Sequence, residues 1–227
     1  MKGESKATKS KWPVVDKFFP IVVDDFFDNP DVIRNLGLSL EKEQVGEQPG
    51  LRSKQLWEID VNLHNEILTK ILSCYFDTEY FNITWECSNM NFHENESFHE
   101  AKTNVANKGW IHQDIDVMQG DQLAGLIYLT PDIDEDSGTS LYKLKPDAWI
   151  KPIAEEKEDY LKHRAKFDRK LEFKNFYNRL VTYDTQEWHG ASSYWSEPKK
   201  DNRMTLAFFI GGIQCQSDFP LKRMKSI

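Results

Sequence analysis

The amino-acid sequence predicts a mainly β protein, a barrel or jelly roll with two helices packed on the outside of one sheet. From about residue 82 onward, short apolar or alternating segments are separated by turn residues, which is typical of all-β barrels. Helical spacing of apolar residues is concentrated in the first third of the chain. One charged segment, about residues 154–177, interrupts the series of strands.

Size and composition indicate one globular domain. The 227 residues, 39% of them hydrophobic, can bury a core, so we expect residues 13–227 to form a single domain and residues 1–12 a flexible polar arm. The sequence has no apolar run of membrane-spanning length and no hydrophobic stretch after its N-terminal lysines. We therefore expect that the protein is neither inserted into a membrane nor secreted. Three scattered cysteines fit a reducing cytoplasm better than a disulfide framework.

Residues 19–77 are predicted to supply one strand and two helices. The apolar residues 19–27 are expected to form the strand, and Asn29 and Pro30 then provide an N-cap and a first helical residue. A second amphipathic helix is expected over residues 63–75. Its inward-facing side chains are predicted to be Ile67, Leu68, Ile71 and Leu72.

Residues 82–216 are predicted to form the β core. Its strands are expected at residues 83–92, 122–129, 139–143, 179–183 and 203–211. The charged segment 154–177 is predicted to be an inserted helix, because Tyr160, Phe167 and Leu171 fall at helical spacing. Two interpretations stay open for this insertion: a solvated helix on the barrel wall, or a flap over the mouth of a site.

Two histidines and one aspartate form a candidate metal site. His112 and Asp114 are separated by one residue, and residues i and i+2 of a strand point to the same side. His189 follows an apolar strand and is expected at a strand end after a tight turn. Two imidazoles and one carboxylate are the ligand set of the facial triad that binds Fe(II) and leaves coordination positions open. The sequence therefore predicts that these three residues bind a metal.

Arg203 is the candidate anion-binding residue. It opens the predicted strand 203–211, whose two faces are otherwise largely apolar, so its charge requires a partner. A salt bridge within the protein is one explanation. A bound dicarboxylate is the other, since a guanidinium group pairs with a carboxylate through two hydrogen bonds. The presence of the three candidate metal ligands favours the dicarboxylate.

These residues carry a family resemblance. The order His112-X-Asp114, Tyr128-Leu129-Thr130, Gly138-Thr139, His189 and Arg203 resembles the Fe(II)- and 2-oxoglutarate-dependent oxygenases of the prolyl-4-hydroxylase-like group, in particular small bacterial and phage-encoded members of unassigned substrate. The resemblance is clear over residues 109–212. It implies a double-stranded β-helix, a cupin-like jelly roll that holds the metal between its two sheets.

The resemblance also implies a role for each site residue. His112, Asp114 and His189 match the iron ligands, and Arg203 matches the residue that binds the C5 carboxylate of 2-oxoglutarate. Tyr128 matches a tyrosine that donates its hydroxyl to the same carboxylate; the alternative for Tyr128 is a core aromatic with its hydroxyl at the rim. The interval between His189 and Arg203 is longer than is usual in the family.

The activity implied is hydroxylation of an amino-acid side chain in a peptide, a protein or a free amino acid. It would use Fe(II), 2-oxoglutarate and dioxygen, with ascorbate in support, and release succinate and carbon dioxide. We expect this enzyme in the cytoplasm, that of the host if it is phage-encoded.

Two alternatives stay open, a nucleobase demethylase and a non-enzymatic cupin-like protein that binds a metal or ligand. Demethylase relatives carry a second arginine soon after the first, whereas apolar and small residues follow Arg203, and the net charge of −8 argues against a nucleic-acid partner. The intact set of candidate ligands argues against a binding protein.

The remaining histidines are not expected to bind a metal. The segment 93–101, with His93, His99 and several glutamates, is predicted to be a solvated loop beside the mouth of the site. His64 and His163 occur in charged helical stretches and are predicted to lie at the surface.

Overall fold

Two antiparallel β-sheets pack face to face in the computed structural model, which describes residues 18–46, 50–95, 111–114, 121–150, 160–192 and 202–216. In this part of the chain no helix is long and apolar enough to cross a membrane. The predicted polar arm, residues 1–12, lies outside the described residues.

Within the described residues, twelve strands form a seven-stranded major sheet, a three-stranded minor sheet and one separate pair. The strands are β1 (Ile21–Val23), β2 (Glu43–Gln44), β3 (Leu51–Arg52), β4 (Ile83–Thr84), β5 (Cys87–Asn95), β6 (Asp121–Tyr128), β7 (Thr139–Leu144), β8 (Phe167–Phe173), β9 (Leu180–Asp184), β10 (Trp188–Ala191), β11 (Arg203–Gly211) and β12 (Gln214–Cys215). The helices are α1 (Pro30–Ser39), α2 (Leu56–Ile59), α3 (Val61–Ser73) and α4 (Tyr160–Ala165). The strand order is β1-β9-β6-β11-β5-β3-β2 in the major sheet and β10-β7-β8 in the minor sheet.

The major sheet is buried on both faces. Its outer face packs on the N-terminal helices through one apolar cluster that includes Leu68, Ile71 and Leu72 of α3, Phe92 of β5, Ile127 of β6, and Leu206 and Phe208 of β11. Its inner face, the side that carries Ala124, Tyr128, Val181 and Tyr183, packs on Leu141 and Phe173 of the minor sheet. Alternation along β6 and β11 sends successive side chains to opposite faces, so these near-continuous apolar runs supply both layers.

Most predicted elements are present. The strands expected at residues 122–129 and 203–211 are β6 and β11, and α1 begins at Pro30 as predicted, although the Asn29 side chain makes no capping hydrogen bond. The inward-facing residues predicted for the second helix are buried in α3. The strand expected over residues 19–27 is confined to Ile21–Val23, because the chain turns at Asp25, whose φ is 52°.

The prediction of one inserted helix over residues 154–177 is wrong. Among the described residues of this segment only Tyr160–Ala165 is helical, and Phe167–Phe173 forms β8, which pairs with β7 at the edge of the minor sheet. Phe167 and Phe173 are buried while Leu171 is 45% exposed, so the apolar spacing that suggested a helix does not mark one buried face. Residues 151–159 lie outside the described residues.

Candidate metal centre

A reciprocal pair of backbone hydrogen bonds joins the two histidines. The His112 N–H donates to the carbonyl of His189 (N···O 2.9 Å), and the His189 N–H donates to the carbonyl of His112 (2.8 Å). Of the described residues 111–114, His112 alone forms a β-bridge, whereas His189 lies inside β10. The bridge brings the centres of the two imidazole rings to 4.4 Å from each other.

Asp114 joins the histidines because its backbone is held at the turn that follows β9. Its N–H donates to the carbonyl of Thr185 (3.1 Å). The Nε2 atom of His189 lies 3.2 Å from Oδ2 of Asp114, and Nε2 of His112 lies 3.5 Å from Oδ1. All three ligand atoms lie within 4.8 Å of one another. Ligands bound at about 2.1 Å to one ion are separated by about 3 Å, so small side-chain adjustments suffice for a shared metal.

The Asp114 carboxylate has the properties of a metal ligand. Burial acts to raise the pKa of Asp114, but the adjacent His189 and His112 outweigh it and hold that pKa well below its usual range, so the group is ionised. Its Oδ2 atom is buried and, apart from the approach of Nε2 of His189 at 3.2 Å, has no hydrogen-bond donor among the described residues. A buried, charged acceptor without a donor is costly, and a bound cation beside it would remove that cost. The residues present therefore fit a divalent metal.

The tautomer of His189 also suits metal binding. Its Nδ1 lies 3.0 Å from the carbonyl oxygen of Glu187, which can only accept a hydrogen bond, so Nδ1 carries a proton and Nε2, the atom beside Asp114, is the one that would bind a metal. Such a carbonyl partner commonly fixes the ring of a metal-binding histidine. The His112 side chain is 42% exposed and that of His189 is 7% exposed, so the centre opens to the outside on the side of His112.

Arg203 and Tyr128 lie together on the inner face of the major sheet. Arg203 is buried, donates through Nε to the carbonyl of Ser137 (3.1 Å), and holds its guanidinium carbon 5.3 Å from the centre of the Tyr128 ring. The Tyr128 hydroxyl donates to Oγ1 of Thr139 (3.0 Å), and burial raises the pKa of Tyr128, so this hydroxyl stays protonated. No carboxylate of the described residues forms an ion pair with Arg203, so the salt bridge that was the alternative explanation is not found among them.

Comparison with solved structures gives the fold. No protein-family model and no curated protein match the sequence. HygX from Streptomyces hygroscopicus, solved with nickel and 2-oxoglutarate bound, is similar with a TM-score of 0.54 and 11% identity over 85% of this chain and 82% of that chain. AviO1 from Streptomyces viridochromogenes Tue57 is similar with a TM-score of 0.50 and 15% identity over 87% and 91% of the two chains. A prolyl 4-hydroxylase from Phytophthora capsici is similar with a TM-score of 0.51 and 13% identity over 87% of this chain and 60% of that chain.

The chain has the double-stranded β-helix fold of 2-oxoglutarate oxygenases. The fold predicted from the sequence is confirmed. The candidate ligands lie where the two sheets of the double-stranded β-helix meet, since His189 belongs to the minor sheet and its ring lies 4.7 Å from that of Tyr183 on the inner face of the major sheet. Structural similarity at sequence identities of 11–15% shows the fold alone. The argument for an activity rests on the site residues themselves.

Three histidines outside the centre are not where the sequence predicted them. His93 belongs to β5, not to a loop, while His99 lies outside the described residues. His64 and His163 are both 3% exposed, not at the surface. His64 contacts Oγ of Ser88 (3.3 Å), and Nε2 of His163 lies 2.9 Å from the carbonyl of Ile111. The charged residues near each histidine suggested an exposed position. The prediction is wrong because each histidine lies on the side of its helix that faces the interior.

Sequence reasoning also missed the groups that support the ligands. The carbonyls of Thr185 and Glu187 hold Asp114 and His189, but a main-chain role leaves no signal in residue type.

Proposed function

We propose that this protein is an Fe(II)- and 2-oxoglutarate-dependent dioxygenase that hydroxylates an amino-acid side chain in a peptide, a protein or a free amino acid. The observation that carries the proposal is the gathering of His112, Asp114 and His189, whose ligand atoms lie within 4.8 Å of one another. The buried Arg203, which lacks a carboxylate partner among the described residues, supports it by providing for an anionic co-substrate.

Each site residue has a distinct task in this proposal. The two histidines and Asp114 would hold the iron, and the Glu187 carbonyl would keep His189 in the tautomer that binds. Arg203, oriented by the Ser137 carbonyl, and Tyr128 would bind the far carboxylate of 2-oxoglutarate. When bound, the metal and co-substrate would supply the oxidising chemistry: one oxygen atom of dioxygen enters a C–H bond of the substrate as a hydroxyl group, and the other enters 2-oxoglutarate, which is released as succinate and carbon dioxide. The apolar inner face limits water around these groups.

Two of the similar structures bear on the substrate class. One is a prolyl 4-hydroxylase, and HygX has also been solved with nickel, 2-oxoglutarate and hygromycin B bound, with a TM-score of 0.51. Proteins with this fold therefore include both a hydroxylase that acts on an amino-acid residue and a protein that binds a small molecule. We place this protein with the first group because the order of its site residues resembles the prolyl-4-hydroxylase-like oxygenases.

Succinate formation tests the proposal directly. The purified protein would be incubated with Fe(II), ascorbate and 2-oxoglutarate under air, beside His189→Ala, Arg203→Ala and the control His64→Gln, which replaces a buried histidine on α3. We expect slow uncoupled turnover in the wild type and the control, none in His189→Ala, and a reduced rate in Arg203→Ala. Calorimetric titration with Ni(II) and then 2-oxoglutarate accompanies the assay. A wild-type protein that binds neither would contradict the proposal.

A further inference from the structure

Strand β5 places polar side chains on the inner face of the major sheet. Asn91 lies opposite Ala207 and His93 lies opposite Thr205, and Thr205 lies in turn opposite Tyr128. Directly opposed residues of antiparallel strands project from the same face. Asn91 and His93 therefore share the face of Tyr128, which is the face of the proposed co-substrate site. Polar groups here are unexpected for packing alone, because the inner face of β6 and β9 is largely apolar.

Arg52 adds a cation to this part of the inner face. It lies opposite His93 in the β3–β5 pairing, and its Nε donates to Nε2 of His93 (3.1 Å). Its Nη1 atom is buried, and within the described residues it has no hydrogen-bond partner and no carboxylate forms an ion pair with Arg52. Burial lowers the pKa of Arg52. A buried donor on a charged group is costly when unpaired, so Arg52 requires a partner that the described chain does not supply.

His93 is a neutral link between two arginines. The guanidinium of Arg52 can only donate, so Nε2 of His93 offers its lone pair to Arg52, while Oδ1 of Asn91 also lies 3.0 Å from that atom. Burial, and then the positive charges of Arg52 and Arg203, lower the pKa of His93 to about 3, in agreement with a neutral ring. Arg52 lies opposite His93, and His93 lies opposite Thr205, which is two residues after Arg203 on the same face of β11, so the two arginines are neighbours on the inner face.

In the proposed complex, the positive charge of Arg52 has no negative charge to match it among the metal, the co-substrate and their ligands. A divalent metal and Arg203 are matched by Asp114 and the two carboxylates of 2-oxoglutarate. We infer that Arg52, oriented by His93, is the residue that binds a carboxylate group of the substrate to be hydroxylated. This inference rests on the proposed function and narrows its substrate class to acidic or free-carboxylate compounds. The carboxylate is an acidic side chain, a chain terminus or the main-chain carboxylate of a free amino acid.

A purely structural role explains less of the geometry. The bond from Nε to His93 would by itself join β3 to β5, and it leaves Nη1 of Arg52 without a partner. Lys42, which directly precedes β2, offers a comparison, since its ammonium group forms an ion pair with Glu94 of β5 (3.0 Å). Glu94 is adjacent to His93 in β5 and therefore projects from the opposite face. Lys42 is thus a matched cation whose charge is already satisfied.

Binding of small carboxylates to the loaded protein tests the inference. The full chain is saturated with Ni(II) and 2-oxoglutarate and titrated with N-acetylglycine, which carries a main-chain carboxylate, and with N-acetyl-aspartamide, blocked at its main chain and carrying a side-chain carboxylate. The neutral N-acetylglycinamide is the control probe. Binding is followed by isothermal titration calorimetry in wild type, Arg52→Gln and Lys42→Gln.

We expect saturable binding of at least one carboxylate to the wild type and to Lys42→Gln. Arg52→Gln should bind it about tenfold to a hundredfold more weakly, as for the loss of a charged hydrogen-bond donor. The tighter of the two probes then identifies the source of the carboxylate. Equal binding to wild type and Arg52→Gln, or no saturable binding of either carboxylate, would overturn the inference.

The affinity for 2-oxoglutarate separates this inference from the proposed function. Arg52→Gln should bind Ni(II) and 2-oxoglutarate as the wild type does. A weakening of 2-oxoglutarate binding comparable with that in Arg203→Ala would assign Arg52 to the co-substrate and overturn the inference while leaving the proposed function intact. If the wild type binds no metal or 2-oxoglutarate, the proposed function fails, and the same carboxylate titration of the metal-free protein still tests Arg52.

Discussion

Replacing Arg203 by methionine is expected to remove most of the thermal stabilisation that 2-oxoglutarate gives to the nickel-loaded protein. Arg203 is buried and uses Nε for the Ser137 carbonyl, which leaves the end of its guanidinium group for the co-substrate. A hydrogen bond to a charged group contributes about 1.5–3 kcal/mol, so the dissociation constant should rise about 10- to 150-fold. At a concentration about 100 times the wild-type dissociation constant, stabilisation should fall from about 2.7 to about 0.7 kcal/mol for a 50-fold loss.

Differential scanning calorimetry measures this effect. A chain of this size shifts its melting temperature by about 2–4 °C per kcal/mol, so 2-oxoglutarate should raise it by about 5–11 °C in the wild type and by about 1–3 °C in Arg203→Met. Arg179→Met is the matched control, because Arg179 pairs with Asp24 through Nη2 (2.9 Å) and has its charge satisfied. A full shift in Arg203→Met, or an equal loss in Arg179→Met, would refute the assignment of Arg203.

Three further predictions follow from single contacts. Tyr128→Phe removes the hydroxyl that contacts Thr139 and should raise the dissociation constant of 2-oxoglutarate about 2- to 12-fold, measured by calorimetric titration. Burial and two nearby arginines lower the pKa of His93 to about 3, so the unfolded chain binds a proton below about pH 6.5 that the folded protein binds only near pH 3. The unfolding free energy of the wild type should therefore decrease as the pH is lowered from about 6.5 to about 3. Urea titrations should show a smaller decrease for His93→Gln. Gly138→Ala would place a Cβ atom 1.8 Å from the Phe173 carbonyl oxygen and should cost about 1–3 kcal/mol of unfolding free energy.

Each of these three predictions would be contradicted by a specific result. Unchanged co-substrate affinity in Tyr128→Phe would make that residue a core aromatic only. Equal pH dependence in wild type and His93→Gln would show that His93 is not held neutral. A fully stable Gly138→Ala would mean that β7 and β8 are not in the close contact described.

The sequence predicts the buried strands well and the edge strands poorly. β6 and β11 are continuous apolar runs buried on both faces, so their composition alone identifies them. β8 is an edge strand with a charged middle, and its apolar residues happen to match helical spacing. β2 and β3 have two residues each, which is too short for any periodicity to be detected.

The candidate metal ligands could be predicted because their chemistry lies in the residue type. His112, Asp114 and His189 are imidazoles and a carboxylate wherever the chain places them, and their proximity is what the structure adds. Arg52 and His93 are 41 residues apart in the sequence and are paired by the register of the sheet, so their residue types do not predict the contact. The buried states of His64 and His163 likewise depend on which side of a short helix faces the sheets.

The central position of β11 has a consequence for the synthesis of this protein on the ribosome. β11 lies between β6 and β5, so each of these long strands presents an unpaired edge until residues 203–211 have emerged. A stalled or proteolysed chain that ends before Arg203 would lack both the middle of its major sheet and its buried cation. Such fragments expose apolar edges that favour aggregation. We therefore expect truncated products to be cleared by cellular quality control, with no partly active form persisting.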